Sequence, residues 1–205
     1  DLPPERICGS GVIDLAAELF TCGLLDFRGK FVPALSPERF TKIDGIEYLV
    51  LVPEEESGNG RSLLCGQPEV DSLIRSKAAM FTILETLTLS VGLGFDDLRT
   101  FYVAGTFGHF INPRSAVSLG MLPDLPLDRF QSLGNSSLEG ATLLLQDPKI
   151  LDRVGRVKEK ITYLELNVNQ EFMNRFSAAK FLPHTDRERF PSVSTVSGHA
   201  ARSEG

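Results

Sequence analysis

Three glycine turns in this chain stand just ahead of helical patterns. Each could turn backbone N–H groups toward an anion. They are Gly9-Ser10-Gly11, Gly105-Thr106-Phe107-Gly108 and Gly134-Asn135. A helix N-terminus carries partial positive charge and unpaired N–H donors, so phosphate is the natural ligand there. Glycine also lets a flat ring lie against the backbone. Two cations, Arg75 and Lys77, sit in the middle of a long apolar-periodic stretch. They could flank a purine or pair with phosphate, Arg through its planar fork. The alternatives stay open, because glycine also serves ordinary strand-to-helix connections and such cations also lie along solvated helix faces. No turn matches G-x-G-x-x-G or G-x-x-x-x-G-K-[ST].

Other reactive types are sparse. Asp14 follows the first turn and could hold a hydroxyl or a metal-bound water, or simply complement the helix dipole. His109 follows the second turn and could reach a ligand, or hold the loop. Asp96-Asp97 reads as a cap and Glu54-Glu55-Glu56 as a solvated loop. No Ser–His–Asp or Cys–His set can be assembled, so no catalytic residue is assigned. Cys8, Cys22 and Cys65 are an odd, widely spaced set, and His109, His184 and His199 form no paired motif. No disulfide framework and no metal site are expected, and a reducing cytoplasm is the setting.

The elements that must position these residues follow from periodicity. Positions 12, 13, 16, 19 and 20 recur at helical spacing, with Ser10 as N-cap and Gly23 as stop. Residues 29–45 read as a Pro- and Gly-punctuated connection. Residues 46–52 predict a buried strand, and 62–65 a strand pairing back as a hairpin. Pro68 opens the longest helix, which runs to about residue 91. Residues 101–104 predict a strand ending at Gly105. Asn112-Pro113 starts a helix, and 130–133 predict another strand. Helices follow at 138–145, after Pro148, and at 170–179; between the last two, 161–166 alternates as a strand does. Strand–turn–helix units mixed with a hairpin give an α/β class, with helices covering a mixed sheet. Residues 192–205, rich in Ser, Gly and Ala, read as a flexible tail after a domain over 1–191.

Composition bounds the partners. Across 205 residues the chain is 42% hydrophobic and 23% charged, with a net charge of −6. That supports a packed core. It argues against non-specific nucleic-acid binding, which needs a basic field. No apolar run approaches the roughly 20 residues needed to span a bilayer, so no membrane partner is expected.

The motifs taken together resemble one family. Ile7-Cys8-Gly9-Ser10-Gly11-Val12-Ile13-Asp14, Leu73-Ile74-Arg75-Ser76-Lys77-Ala78-Ala79, Val103-Ala104-Gly105-Thr106-Phe107-Gly108, Gly120-Met121-Leu122-Pro123-Asp124, Gly134-Asn135-Ser136-Ser137-Leu138-Glu139-Gly140-Ala141, Phe181-Leu182-Pro183-His184-Thr185 and Phe190-Pro191-Ser192-Val193 occur in that order. This resembles the C-terminal part of the reductive activators of corrinoid proteins over residues 4–193. The resemblance implies the C-terminal half of a ribonuclease-H-like, actin-like ATPase fold of the actin, sugar-kinase and heat-shock-chaperone superfamily. It implies ATP with Mg²⁺ between two halves. It also implies electron transfer from an iron–sulfur centre, [2Fe-2S] in the parent protein, to a Co(II) corrinoid that returns to Co(I).

By position, the resemblance makes Gly105, Thr106, Phe107 and Gly108 the adenosine turn, with Thr106 where a second small residue is usual. Arg75 and Lys77 would form the opposite wall, and Gly134 and Asn135 would close the same side. Gly9, Ser10 and Gly11 would lie near the phosphates. The superfamily's D-x-G-[TS] phosphate loops and the iron–sulfur cysteines do not occur in these residues. The expected partners are therefore a corrinoid (cobalamin-dependent) protein and the N-terminal half of the same ATPase region. A homodimer is left open, and this chain alone is expected to be inactive. A nucleotide-indifferent docking module for a corrinoid protein is the alternative. A sugar or acid kinase is a third reading, disfavoured because no substrate-loop Asp is legible.

Overall fold

The computed structural model describes residues 3–166 and 170–194. Helix α1 (Gly9–Thr21) buries Ile13, Ala16, Ala17, Leu19 and Phe20, the stripe its periodicity prescribes. It begins two residues earlier than Ser10 allows as a cap. Cys8 is the N-cap, and its Sγ accepts the Gly11 N–H at 3.4 Å. Because Gly9 and Ser10 both take up the first turn, the capping group moves two positions upstream. Gly23, at φ 86°, stops the helix as expected.

An antiparallel sheet follows, in the order β1 (Phe40–Ile43), β2 (Ile46–Val52), β3 (Leu63–Gly66). Strand β1 lies inside the stretch expected to be an irregular connection. Its turn is Asp44-Gly45, with φ of 50° and 81°, so two left-handed residues join Ile43 directly to Ile46. The β2–β3 pairing is the anticipated hairpin.

Helix α2 (Gln67–Ser90) is the spine of the molecule. After it come β4 (Phe101–Ala104), α3 (Thr106–His109), α4 (Pro113–Ser118), β5 (Phe130–Gly134), α5 (Ser136–Gln146), α6 (Ile150–Lys158) and α7 (Gln170–Ala179). Strands β4 and β5 pair in parallel. The antiparallel and parallel pairings implied by the element order thus lie in two separate sheets. The strand expected at 161–166 is absent. Its alternation meets no neighbouring strand among the described residues, and Ile161 and Tyr163 are 70% and 83% exposed. Residues 195–205 of the expected tail lie outside the described residues, while Ser192 is tied to Asp124 through its amide (2.8 Å) and its hydroxyl (2.6 Å).

The core gathers α1, α2, α4, α7 and the loop after α7. Phe81 of α2 is its hub, with the rings of Phe95, His184 and Phe190 at 5.5, 5.6 and 5.5 Å and the Arg189 guanidinium 5.0 Å above it. Beside Phe81 lies Lys77, with 0% exposure. Its Nζ donates to the carbonyl of Phe181 and, at 2.8 Å, to that of Pro183. The same loop is held from the other side by Leu182 N–H donating to Phe27 O at 2.8 Å. Gly120, at φ 73°, passes so close that a Cβ there would lie 1.9 Å from Pro183 O.

Burial pushes the Lys77 ammonium from its ordinary 10.5 down to about 7. The unfolded chain therefore binds more protons than the folded one between about pH 7 and 10.5, and stability rises with pH through that window. The urea midpoint of the wild type should climb between pH 7 and 9.5. Lys77→Met should remove that climb, and Lys77→Ala should lose about 2–5 kcal/mol at pH 8 through the cavity and the orphaned carbonyls. A midpoint that rises equally in Lys77→Met would refute the assignment.

Candidate functional site

Strands β4 and β5 both run into a glycine, and ligands of parallel sheets bind at this carboxyl end. Gly105 has φ 94° and Gly134 φ 65°. The Gly105 N–H donates to Gly134 O at 2.7 Å, which fuses the two bends into one shelf. A Cβ on either glycine would meet nothing within 4 Å among the described residues, which leave both positions open.

The shelf is braced from behind. A Cβ on Gly108 would come 2.7 Å from Val103 Cγ1, so only glycine lets α3 fold back on β4 this closely. His109 Nδ1 lies 2.9 Å from Ser132 Oγ and links α3 to β5, which gives this histidine a bracing role. Asn135 caps α5, its Oδ1 accepting Leu138 N–H at 3.1 Å. Gly105, Gly108, Gly134 and Asn135, with the backbone of Thr106 and Phe107, therefore converge. Tyr102, Leu133 and Leu138 stand exposed nearby in sequence and structure at 60%, 44% and 63%.

The remaining sequence-predicted residues lie elsewhere. Lys77 points into the core and spends its donors on loop carbonyls, so it does not stand free as a wall. Arg75, two residues away on a helix, faces another side. It lines a cleft of about 430 Å³ with Gly45, Ile46, Glu47, Gln67, Pro68 and Asp71, and none of the shelf residues belongs to that lining. There Gln67 is the organiser that sequence reading missed. Its Nε2 donates to Gly29 O and Asp71 Oδ1, both at 2.8 Å, and its Oε1 accepts Phe31 N–H at 3.0 Å. Burial alone would push the Asp71 carboxyl up. Hydrogen bonds from Lys30 and Gln67, with the charges of Lys30 and Arg75, outweigh it and hold Asp71 below its ordinary range. The Asp44-Gly45 hairpin signal was the one clue to this cleft.

Gly9, Ser10 and Gly11 form the first turn of α1. Gly11 packs tightly, since a Cβ would lie 3.1 Å from Ile7 Cγ1. Its N–H is already taken by Cys8 Sγ. The exposed Cys8 thiol is held below its ordinary pKa by the Ser10 hydroxyl and the Gly11 N–H. Cys65 differs, because burial, with Glu69 nearby, pushes its thiol up. Among the described residues no helix is long and apolar enough to cross a membrane.

Comparisons with known proteins agree on one family for the chain. The family model described as the C-terminal domain of RACo, the ASKHA domain, matches residues 1–194. The chain is similar to the corrinoid activation enzyme RamQ of Eubacterium limosum, at 28% identity over 180 residues, 84% of this chain and 30% of that protein. It is also similar to the solved structure of a reductive activator for corrinoid, iron-sulfur protein, with a TM-score of 0.87 and 39% identity over 94% of this chain and 31% of the other. The chain thus spans about a third of the length of these relatives.

Two outcomes check the geometry. Gly105→Ala and Gly134→Ala should each cost about 1–2 kcal/mol from backbone strain alone, because no atom opposes the new methyl. Gly108→Ala should cost more, since Val103 must move. At pH 7 iodoacetamide should alkylate Cys8 first and Cys65 last, as read by mass spectrometry of the folded chain. Cys65 reacting as fast as Cys8 would contradict the arrangement.

Proposed function

The chain belongs to the family of C-terminal ASKHA domains of RACo, and on that premise we propose that it forms the adenosine side of an ATP-dependent reductive activator of corrinoid proteins. The parent protein passes one electron from a reduced iron–sulfur centre to a Co(II) corrinoid, which becomes Co(I). The iron–sulfur centre is oxidised by the same electron. That transfer is uphill because of the low Co(II)/Co(I) potential, and ATP with Mg²⁺ supplies a conformational change that makes it accessible. The reaction belongs to cytoplasmic, anaerobic methyl-transfer metabolism.

The observation that carries this reading is the open double-glycine shelf. It sits at the carboxyl end of a parallel strand pair, with its two bends joined by one 2.7 Å hydrogen bond. In this reading the residues present fit a nucleoside on the Gly105 and Gly134 backbone, with Asn135 at its margin. The phosphate loops come from the N-terminal half of the same ATPase region. A two-stranded parallel sheet with exposed Tyr102 and Leu133 calls for such cover, since parallel sheets are stable only when both faces are covered. The second reading, a docking module indifferent to nucleotide, is favoured by one fact: neither α5 nor α6 has a buried residue.

Isothermal titration of this chain with ATP and Mg²⁺ tests the proposal. Binding in the micromolar range or weaker, without turnover, is expected for half of a site. Gly105→Leu and Gly134→Leu should abolish the heat while the circular dichroism stays intact. Unchanged affinity in both variants would refute the shelf. Submicromolar binding with turnover by this chain alone would refute the half-site.

A further inference from the structure

Helix α6 is the least explained part of the molecule. All of its residues but Ile150 are exposed. Yet it is not a polar helix. Ile150, Val154 and Val157 fall at i, i+4 and i+7 on one stripe, with Leu151 beside it. Leu151, Val154 and Val157 are 59%, 48% and 56% exposed. A stripe of this pattern exists to be covered, and the main packing neighbour of α6 among the described residues is α5, whose Leu143 and Leu145 are themselves 51% and 86% exposed.

The charges around the stripe are sorted as well. At 100° per residue, Arg153 and Lys160 border the stripe on one side, with Lys149 and Arg156 next to them. Lys158 lies within the apolar arc. The carboxylates Asp152 and Glu159 occupy the opposite face. Among the described residues none of these five cations makes an ion pair. The chain as a whole carries −6, so this is a local basic rim on an acidic molecule.

We propose that the α6 stripe, with its rim of Arg153, Arg156 and Lys160, is the surface that docks the corrinoid protein. This rests on the corrinoid reading above. The partner it fits presents an apolar patch fringed by carboxylates. Charge decides between a protein and a lipid surface. An anionic membrane would repel the whole chain at −6 and reward only the few rim cations. A protein can offer carboxylates locally, where the cations are, and keep the remainder of its surface neutral. The stripe also contains no Trp, Tyr or Phe, the side chains that anchor interfacial helices.

The test is titration of this chain with purified corrinoid iron–sulfur protein, at low and high NaCl. The wild type should bind, and more weakly in high salt. Arg153→Glu with Arg156→Glu should weaken binding at least tenfold and flatten the salt dependence. Val154→Asp should weaken it comparably, while ATP titration at the glycine shelf stays unchanged in both variants. Both substitutions are on exposed positions, so helicity should be retained. Unaltered binding in both variants overturns the α6 surface and leaves the corrinoid reading standing. No binding by the wild type overturns both. Sedimentation of the wild type with phosphatidylserine vesicles, or a concentration-dependent dimer abolished by Val154→Asp, would assign α6 to a membrane or to a second copy and overturn the proposal.

Discussion

Lys77 is fully shielded from solvent, with no carboxylate in ion-pair reach among the described residues. An isolated charge in such a place would cost several kcal/mol, and the carbonyls of Phe181 and Pro183 are what make the position tolerable. The dependence runs both ways. Those carbonyls are buried acceptors that need a donor, and α2 supplies one. Once the 181–183 turn is fixed on α2, its surroundings have little freedom. Gly120 must be glycine to pass Pro183, Phe27 stacks on Phe181 at 5.7 Å, and His184 is laid against Phe81. Burial, with the charges of Arg189 and Lys77, holds the His184 imidazole below its ordinary pKa, so it packs as a neutral ring.

This leaves the molecule divided by packing. The part around α1, α2, α4 and α7 holds the dense core. The part made of β4, β5, α5 and α6 has no fully buried residue, and β4 and β5 reach the core through the partly buried Phe101 and Phe130, whose rings are 5.4 Å apart. Regions with little buried surface are where ligands and partners gain most by binding. In the proposed function the dense part is the scaffold. The open part carries both the glycine shelf and the unpartnered helices.

Much of this was legible in the residues. Helices α2 and α7 have regular apolar spacing, and Asn112-Pro113 carries its own cap and first-turn signal, as the Asn112 bond to Arg114 N–H at 3.0 Å shows. The ordered motif blocks pointed to the family, and the matched residues 1–194 bear that out. Other features depend on contacts that a linear pattern does not display. The partners of Lys77 are more than a hundred positions away, so periodicity could place the cation on the helix without showing that it turns inward. Residues 161–166 alternate correctly, but alternation makes a strand only where a neighbouring strand receives it. Strand β1 was missed for the opposite reason, because four residues carry little pattern and Asp44-Gly45 was read as a loop.

The shelf and the helices after it are one covalent device. Gly134 O accepts from Gly105, and the next residue, Asn135, caps α5. A ligand resting on these two glycines bears on the hydrogen bond between them, and any shift of Gly134 moves the cap and the axis of α5 with it. Helix α6 rides on α5 through the short Asp147-Pro148-Lys149 turn, pinned by Asp147 accepting Lys149 N–H at 3.0 Å. Neither helix is anchored by a buried residue, so little resists such a movement. In the proposed function, nucleotide at the shelf and a partner on α6 would therefore act on the same pair of helices. By linkage, whatever free energy one gives to orienting that pair is felt by the other. In the proposed function, that reciprocity is the coupling an ATP-driven electron transfer would require, since binding at one end has to be converted into geometry at the other.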